Sequence, residues 1–425
     1  MERTTHLNPP LFAGYSADQL RSALVFLTFA VSFFVYVEPA PVDLMFLLLF
    51  TLFWRSGLSV TLGATTLTVL LVLYNLGGFF AAIPVVSRPL VVMFILTSAF
   101  MGLSAIFIAY YVAHDPIRRM QLIRLGWIVG GVLAATFGML DYLEVGGLFP
   151  DSIIKGRATG TFKDPNVFST YLIFPGLLLM QGLMLGTARW KFMSIIGLSI
   201  IVAGLFFSFS RGAWGSFLLS AIFMIAFTFV LNGQSQMRQR ILLFTVGALG
   251  AGAIAFMLLM TIEPVRDLFF ERFSLFQRYD SGETGRFGNQ LRSIPELMAL
   301  PLGYGPLQFF DHFGLDPHNT FINAFASYGW LGGISYLLLF LSSIFVGLKS
   351  IFTKSPWQNY AIVVFCPMFT TLMQGIQIDM DHWRHLYWLI GLNWGLFAAT
   401  LQPTAVHGGF EALRQSSARN AVLAQ

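Results

Sequence analysis

The sequence predicts an all-α integral membrane protein of about twelve transmembrane helices, with one large loop between the ninth and the tenth. Three observations lead there. Hydrophobic residues make up 56% of the chain and charged residues 11%, where a soluble domain carries about a quarter charged residues. The apolar residues gather in blocks of about 17 to 23, long enough to cross a bilayer as helices. Lys and Arg then fall unevenly on alternate loops, as the positive-inside rule requires.

The spans are predicted in order at 22–37, 43–54, 57–76, 89–111, 122–140, 166–187, 192–209, 212–231, 241–261, 327–348, 358–377 and 385–401. The second is short and fits a hairpin with the third, where Pro39, Pro41 and Gly57 punctuate the chain. Gly126/Gly130, Gly182/Gly186 and Gly391/Gly395 have the spacing that lets helices approach closely. Residues 1–401 therefore read as one polytopic domain, followed by a short polar tail, 402–425, expected to be disordered. The first twenty residues are polar, without a signal-peptide pattern. The single Cys366 lies in an apolar block, which excludes intrachain disulfides and a Cys metal cluster. The basic residues are scattered over loops without a tract, so no nucleic-acid partner is expected.

With the N-terminus placed in the cytoplasm, that side takes 14 of the 25 Lys and Arg and 4 of the 20 acids. The opposite side is acidic, so both termini are expected inside. Its two substantial segments, about 141–165 and 262–326, nevertheless contain Lys155, Arg157, Lys163, Arg266, Arg272, Arg278, Arg286 and Arg292. Bases placed against the topological preference point to an anionic ligand or to neighbouring acids. For Arg266 and Arg272 the adjacent Asp267 and Glu271 suffice, on an amphipathic surface helix. Arg211 differs, because it has no carboxylate within forty residues and sits between two long apolar spans. An ionisable group at that depth is a functional candidate, with snorkelling as the alternative.

Two outer helix starts share a pattern, Asp164-Pro165-Asn166 and Asp316-Pro317-His318-Asn319. Asp caps a helix and Pro suits its first position, which predicts His318 in a first helical turn. Free backbone N–H groups at such starts suit a phosphate. An imidazole just outside an apolar span is a candidate general base. Asp379-Met380-Asp381 resembles a metal-binding pair of acids but reads better as an outer helix junction, with His382 and Arg384 as ion partners. His312 and His318 are six apart, which is not zinc spacing, and no metal or other cofactor is expected.

Three patterns occur in order: Gly156-Arg157-Ala158-Thr159-Gly160-Thr161-Phe162 with Asp164-Pro165-Asn166, then Ser210-Arg211-Gly212, then Gly303-Tyr304-Gly305-Pro306 followed by His318-Asn319. In this arrangement the chain resembles the O-antigen ligase and polymerase superfamily of bacterial envelope glycan enzymes, most clearly from Gly156 to Gly332. His318, Asn319, Gly329 and Gly332 fit the ligase pattern of His, Asn, nine residues, Gly, two residues and Gly. The resemblance implies metal-independent transfer of a glycan from undecaprenyl diphosphate to a glycan or lipid A-core hydroxyl, on the periplasmic face of the inner membrane. It implies Arg211, a loop arginine and His318 as essential residues. Arg286 corresponds best to the loop arginine, with Arg278 and Arg292 as alternates. The ligase pattern expects Leu four positions on, and position 290 is Gln.

The expected chemistry follows. Guanidinium groups of Arg211 and Arg286 stabilise the departing diphosphate, with Arg157 and Lys163 as secondary contacts. Neutral His318 removes the acceptor proton. Asn166, Asn319 and Tyr304 are candidates for orienting the substrates. A polymerase joining lipid-linked repeat units of O-antigen or exopolysaccharide is the alternative within the family. A lipid-linked oligosaccharide flippase is the alternative of another class, and would call for ionisable groups near mid-membrane and repeat symmetry between halves.

Overall fold

The computed structural model describes residues 17–54, 60–145, 156–273, 282 and 285–402. They form fifteen α-helices and one 3₁₀ turn, with no strand among the described residues. The helices are α1 (Ala17–Ala30), α2 (Pro41–Trp54), α3 (Leu62–Ala82), α4 (Val91–His114), α5 (Pro116–Tyr142), α6 (Pro165–Leu185), α7 (Lys191–Phe207) and α8 (Arg211–Leu231). They continue with α9 (Ser235–Leu259), α10 (Glu263–Phe273), α11 (Arg286–Ala299), α12 (Phe309–Phe313), α13 (Thr320–Phe352), α14 (Gln358–Gln374) and α15 (Arg384–Thr400). Seven helices, α3 to α6, α8, α9 and α13, are long and apolar enough to cross a membrane. This is the make-up of a multi-pass membrane protein. Each of the twelve predicted spans overlaps a helix, but α1 and α2 have 14 residues and α7, α14 and α15 have 17. The tail from 403 and the loop arginine Arg278 lie outside the described residues.

The centre of the bundle is α6. Asp164 caps it, accepting from the backbone N–H groups of Asn166 (2.6 Å) and Val167 (3.2 Å), and Pro165 takes the first position as predicted. Gly186, in the left-handed region, ends it. Nearly all of α6 is buried by protein, whereas α9 has a single buried residue, Ile241. Apolar surface on α9 is the surface expected to face lipid.

Two of the three glycine pairs mark close crossings. A Cβ at Gly126 or Gly130 would meet the carbonyls of Phe26 and Phe29 on α1 at 2.4 and 2.7 Å. One at Gly391 or Gly395 would meet those of Ala105 and Ala109 on α4 at 2.5 and 2.8 Å. The third pair differs from expectation. Gly182 and Gly186 seat the guanidinium groups of Arg124 and Arg240 over the end of α6.

At one end of the bundle, Arg384 at the start of α15 donates to both carboxylate oxygens of Asp43 on α2, each at 2.8 Å. The sequence had Arg384 paired with its own junction; the partner lies 341 residues away. Both side chains are largely buried, and removing one member of such a pair strands the other charge. Asp43→Ala is expected to destabilise the protein by about 3 kcal/mol, read as a lowered melting temperature in detergent. An unchanged melting point would contradict this account of the pair.

Candidate functional site

The site forms where four loops meet, those before α6, α8 and α13 and the turn after α14, at the end of the bundle that holds the Asp43–Arg384 pair. The first loop follows α5. Asp141, at the end of α5, accepts through Oδ2 from Thr159 N–H (3.0 Å), Thr159 Oγ1 (2.7 Å) and Gly160 N–H (2.9 Å). That latch fixes Arg157, whose Nε donates to the carbonyl of Ser208 (2.8 Å) and whose Nη2 donates to Asn166 Oδ1 (3.3 Å). Ser210, the cap of α8, donates to the same Asn166 oxygen (2.8 Å). Arg211 is the next residue and opens α8. Thus Arg157, Asn166 and Arg211 come together, carried by three different elements.

Residues 374–380 run from the last residue of α14 into the turn that leads to α15. Ser216 on α8 donates to Gln374 Oε1 (3.1 Å), and a Cβ at Gly212 would lie 2.5 Å from Gln374 Nε2. The start of α8 therefore rests on Gln374. Five residues further on, the Asp379 carboxylate accepts from the backbone N–H groups of His318 (2.9 Å) and Asn319 (3.0 Å). Thr320 N–H donates to the carbonyl of Gly375 (2.7 Å), and Thr320 Oγ1 to that of Ile378 (2.9 Å). Arg286, first residue of α11, donates to the carbonyl of Gln377. One short turn thereby carries the start of α8 on one side and His318 with Arg286 on the other.

The local structure at His318 corrects the sequence expectation. Asp316 does not cap α13, and His318 is not in its first turn. Residues 316–319 are outside the helix, His318 has φ 45°, and Asn319 is the cap. Asn319 Oδ1 accepts from Phe321 and Ile322 N–H at 3.0 and 3.1 Å, and its Nδ2 donates to Ile376 O at 3.1 Å. Its amide is thus spent on structure. The expected phosphate seats at both helix starts are likewise filled, by Asp164 at α6 and by Asn319 and Asp379 at α13. Anion contacts must come from side chains.

Gln290, at the position where the ligase pattern has Leu, is buried and donates to the carbonyl of Pro317 (2.8 Å). It ties α11 to the residue before His318, a task no leucine performs. Among the other loop arginines, Arg292 sits over the Phe313 ring and donates to Asn289 Oδ1 (2.7 Å). Lys163 pairs with exposed Glu38 (3.1 Å). Tyr304 donates to Glu296 (2.8 Å) and faces His312, so it belongs to the α11–α12 side. Burial, then the Glu296 carboxylate, raises its phenol pKa. Arg266 and Arg272 pair with Glu263, Asp267 and Glu271 on α10 as expected.

Gly329 breaks α13 with φ 64° and ψ −169°, a conformation suited to glycine, and a Cβ there would meet Pro301 O at 2.6 Å. The break lets the segment after His318 pass under the 301–305 turn before the helix resumes.

Asp379, which the sequence places at an outer helix junction, also clamps the backbone of His318 and Asn319. Desolvation, then the charge of Asp381, raises its pKa from 3.8 to about 8, against the two backbone N–H donors that favour the carboxylate. Between its ordinary value and about 8, the folded chain holds a proton that the unfolded chain has lost. Stability from this group therefore falls as pH rises through that window and levels off above it. Asp379→Asn is expected to flatten the decline in melting temperature between pH 5 and 8, measured against wild type in the same detergent. An identical slope in both would exclude Asp379 as its source. Its neighbour Asp381 takes His382 Nδ1 (3.1 Å) and Asn323 Nδ2 (3.1 Å). Among the described residues, no group of three metal-ligating side chains gathers.

Neither the protein-family models nor the curated proteins searched match this chain. The described residues are helical without strands, and seven of their helices are long and apolar enough to cross a membrane.

Proposed function

We propose that the protein is a membrane glycan transferase of the O-antigen ligase type, using an undecaprenyl-diphosphate-linked donor and an acceptor hydroxyl. The observation that carries this reading is the shared turn 374–380. It seats the Arg211 end of α8, the backbone of His318 and Arg286 on consecutive carbonyls and side chains. In this reading the shorter apolar helices also cross, giving twelve spans with both termini cytoplasmic. The site then faces the periplasm of a bacterial inner membrane, and the segment 262–326 forms its largest outer loop.

The reaction is a single displacement. The acceptor O–H proton passes to neutral His318 as its oxygen bonds to the anomeric carbon. The bond from that carbon to the diphosphate oxygen breaks, and the electron pair leaves with undecaprenyl diphosphate. The anomeric centre inverts. Arg211 and Arg286 offset the charge developing on the diphosphate, with Arg157 beside them. Asp379 acts through the backbone of His318 and sets its position. This scheme asks for no metal ligand and no cofactor.

The substitution of Gln290 for the ligase leucine favours a second reading, a polymerase adding chains to lipid-linked repeat units. Deletion of the gene followed by envelope glycan analysis separates the two. Long lipid-linked chains accumulate if a ligase is lost. Single repeat units appear on the acceptor if a polymerase is lost. Unchanged glycans contradict both.

A further inference from the structure

At the opposite end of the bundle lies a cavity of about 60 Å³. Its distance from the first site follows from α4. Phe94 near the start of α4 contacts His382, while Tyr111, seventeen residues on, lines this cavity. At 1.5 Å per residue that is roughly 25 Å, close to the thickness of a hydrocarbon layer. The cavity is therefore placed at the other membrane boundary.

Three guanidinium groups reach it, Arg21 from α1 and Arg118 and Arg119 from the first turn of α5. Each is held by its surroundings. Arg21 lies over the Phe53 ring at 5.6 Å and Arg119 over the Tyr111 ring at 4.3 Å. Arg119 also donates to the Tyr111 carbonyl. Arg118 pairs with Asp18 at 2.8 Å. Two acids complete the lining, Asp18 and Asp115, the latter also capping α5 through Arg118 N–H at 3.2 Å. A simple anion would meet the three arginines and be repelled by the two carboxylates. A ligand that carries a phosphate and a primary ammonium a few bonds apart satisfies both sets. Arginine forks match phosphate oxygens, and carboxylates accept from an ammonium. Basic pockets at a membrane boundary are also where lipid head groups bind.

We propose that this cavity binds a phosphoethanolamine head group, with phosphate on Arg21, Arg118 and Arg119 and ammonium on Asp18 and Asp115. The head group belongs either to a phospholipid of the adjacent leaflet or to a soluble phosphoethanolamine ester. This site is independent of the transfer reaction proposed above.

The test is native mass spectrometry of the full-length protein in detergent, with dioleoyl phosphatidylethanolamine, phosphatidylglycerol or phosphatidylcholine added, or with soluble glycerophosphoethanolamine. Phosphatidylethanolamine should bind about tenfold more tightly than either other lipid, because phosphatidylglycerol lacks the ammonium and phosphatidylcholine lacks its N–H donors. Binding of the soluble ester as well assigns the head group alone; retention of the lipid only assigns the membrane source. Arg21→Gln should lose phosphatidylethanolamine. Asp18→Asn should reverse the preference towards phosphatidylglycerol. Arg88→Gln, an exposed arginine paired with Asp311 elsewhere, should bind like wild type. If Arg21→Gln fails to fold, Asp18→Asn decides alone, since Asp18 is 64% exposed. Equal binding of the three lipids, or a wild-type preference in Asp18→Asn, overturns the proposal.

Discussion

His318→Asn is expected to lower glycan transfer by about 10²–10⁴-fold while leaving the protein folded. The choice of asparagine follows from the backbone. His318 has φ 45°, a region that Asn tolerates better than Ala. Asn therefore removes the imidazole without adding strain beneath the two hydrogen bonds that Asp379 accepts from His318 and Asn319. The rate should be measured with purified protein, lipid-linked donor and acceptor, beside a melting curve. A fallen rate with an unchanged melting point is the expected pair of results. Transfer at the wild-type rate would remove His318 from the role of base.

Arg211→Ala should reduce transfer by about 10²–10³-fold, the usual cost of losing one preorganised donor to a developing anion. Arg211→Lys keeps the charge without the two-pronged fork, so an intermediate loss is expected. Position matters here as much as charge. Arg211 is flanked by Ser210, which bonds Asn166, and by Gly212, which rests on Gln374. Arg157 donates to that same Asn166 oxygen. If Arg157 is a secondary contact, Arg157→Gln should cost less than Arg211→Ala. The reverse order would move the anion site towards the first loop.

The apolar helices were legible in the sequence because each carries its own signal, whereas α11 and α12 lie in the segment read as a loop. The start of α6 follows from Asp164-Pro165, next to the turn they make; Gly186, read as a packing glycine, instead ends the helix. The same rule misplaced the start of α13, where two caps competed. Asn319 captured the first N–H groups of the helix, and Asp379, sixty residues away, took those just before it. Hydrogen bonds between segments leave no periodic trace, so nothing local favoured one cap over the other. Arg211 was legible because charge at membrane depth is unusual, and Arg157 and Arg286 because they are bases in outer loops. The turn that gathers them was not, since it works largely through the carbonyls of Gly375, Ile376, Gln377 and Ile378. Any residue type presents a carbonyl. Asp379 was visible beside Asp381, but its function as a backbone clamp required the fold. Arg384 was likewise read with its neighbours, while Asp43 on α2 holds it.

The most direct test is reconstitution. The full-length protein in liposomes, given an undecaprenyl-diphosphate-linked glycan and a glycan acceptor, should release undecaprenyl diphosphate in step with formation of a glycosidic bond of inverted configuration. His318→Asn and Arg211→Ala proteins should release little. Absence of coupled release by the wild-type protein, or equal release by all three, would contradict the account.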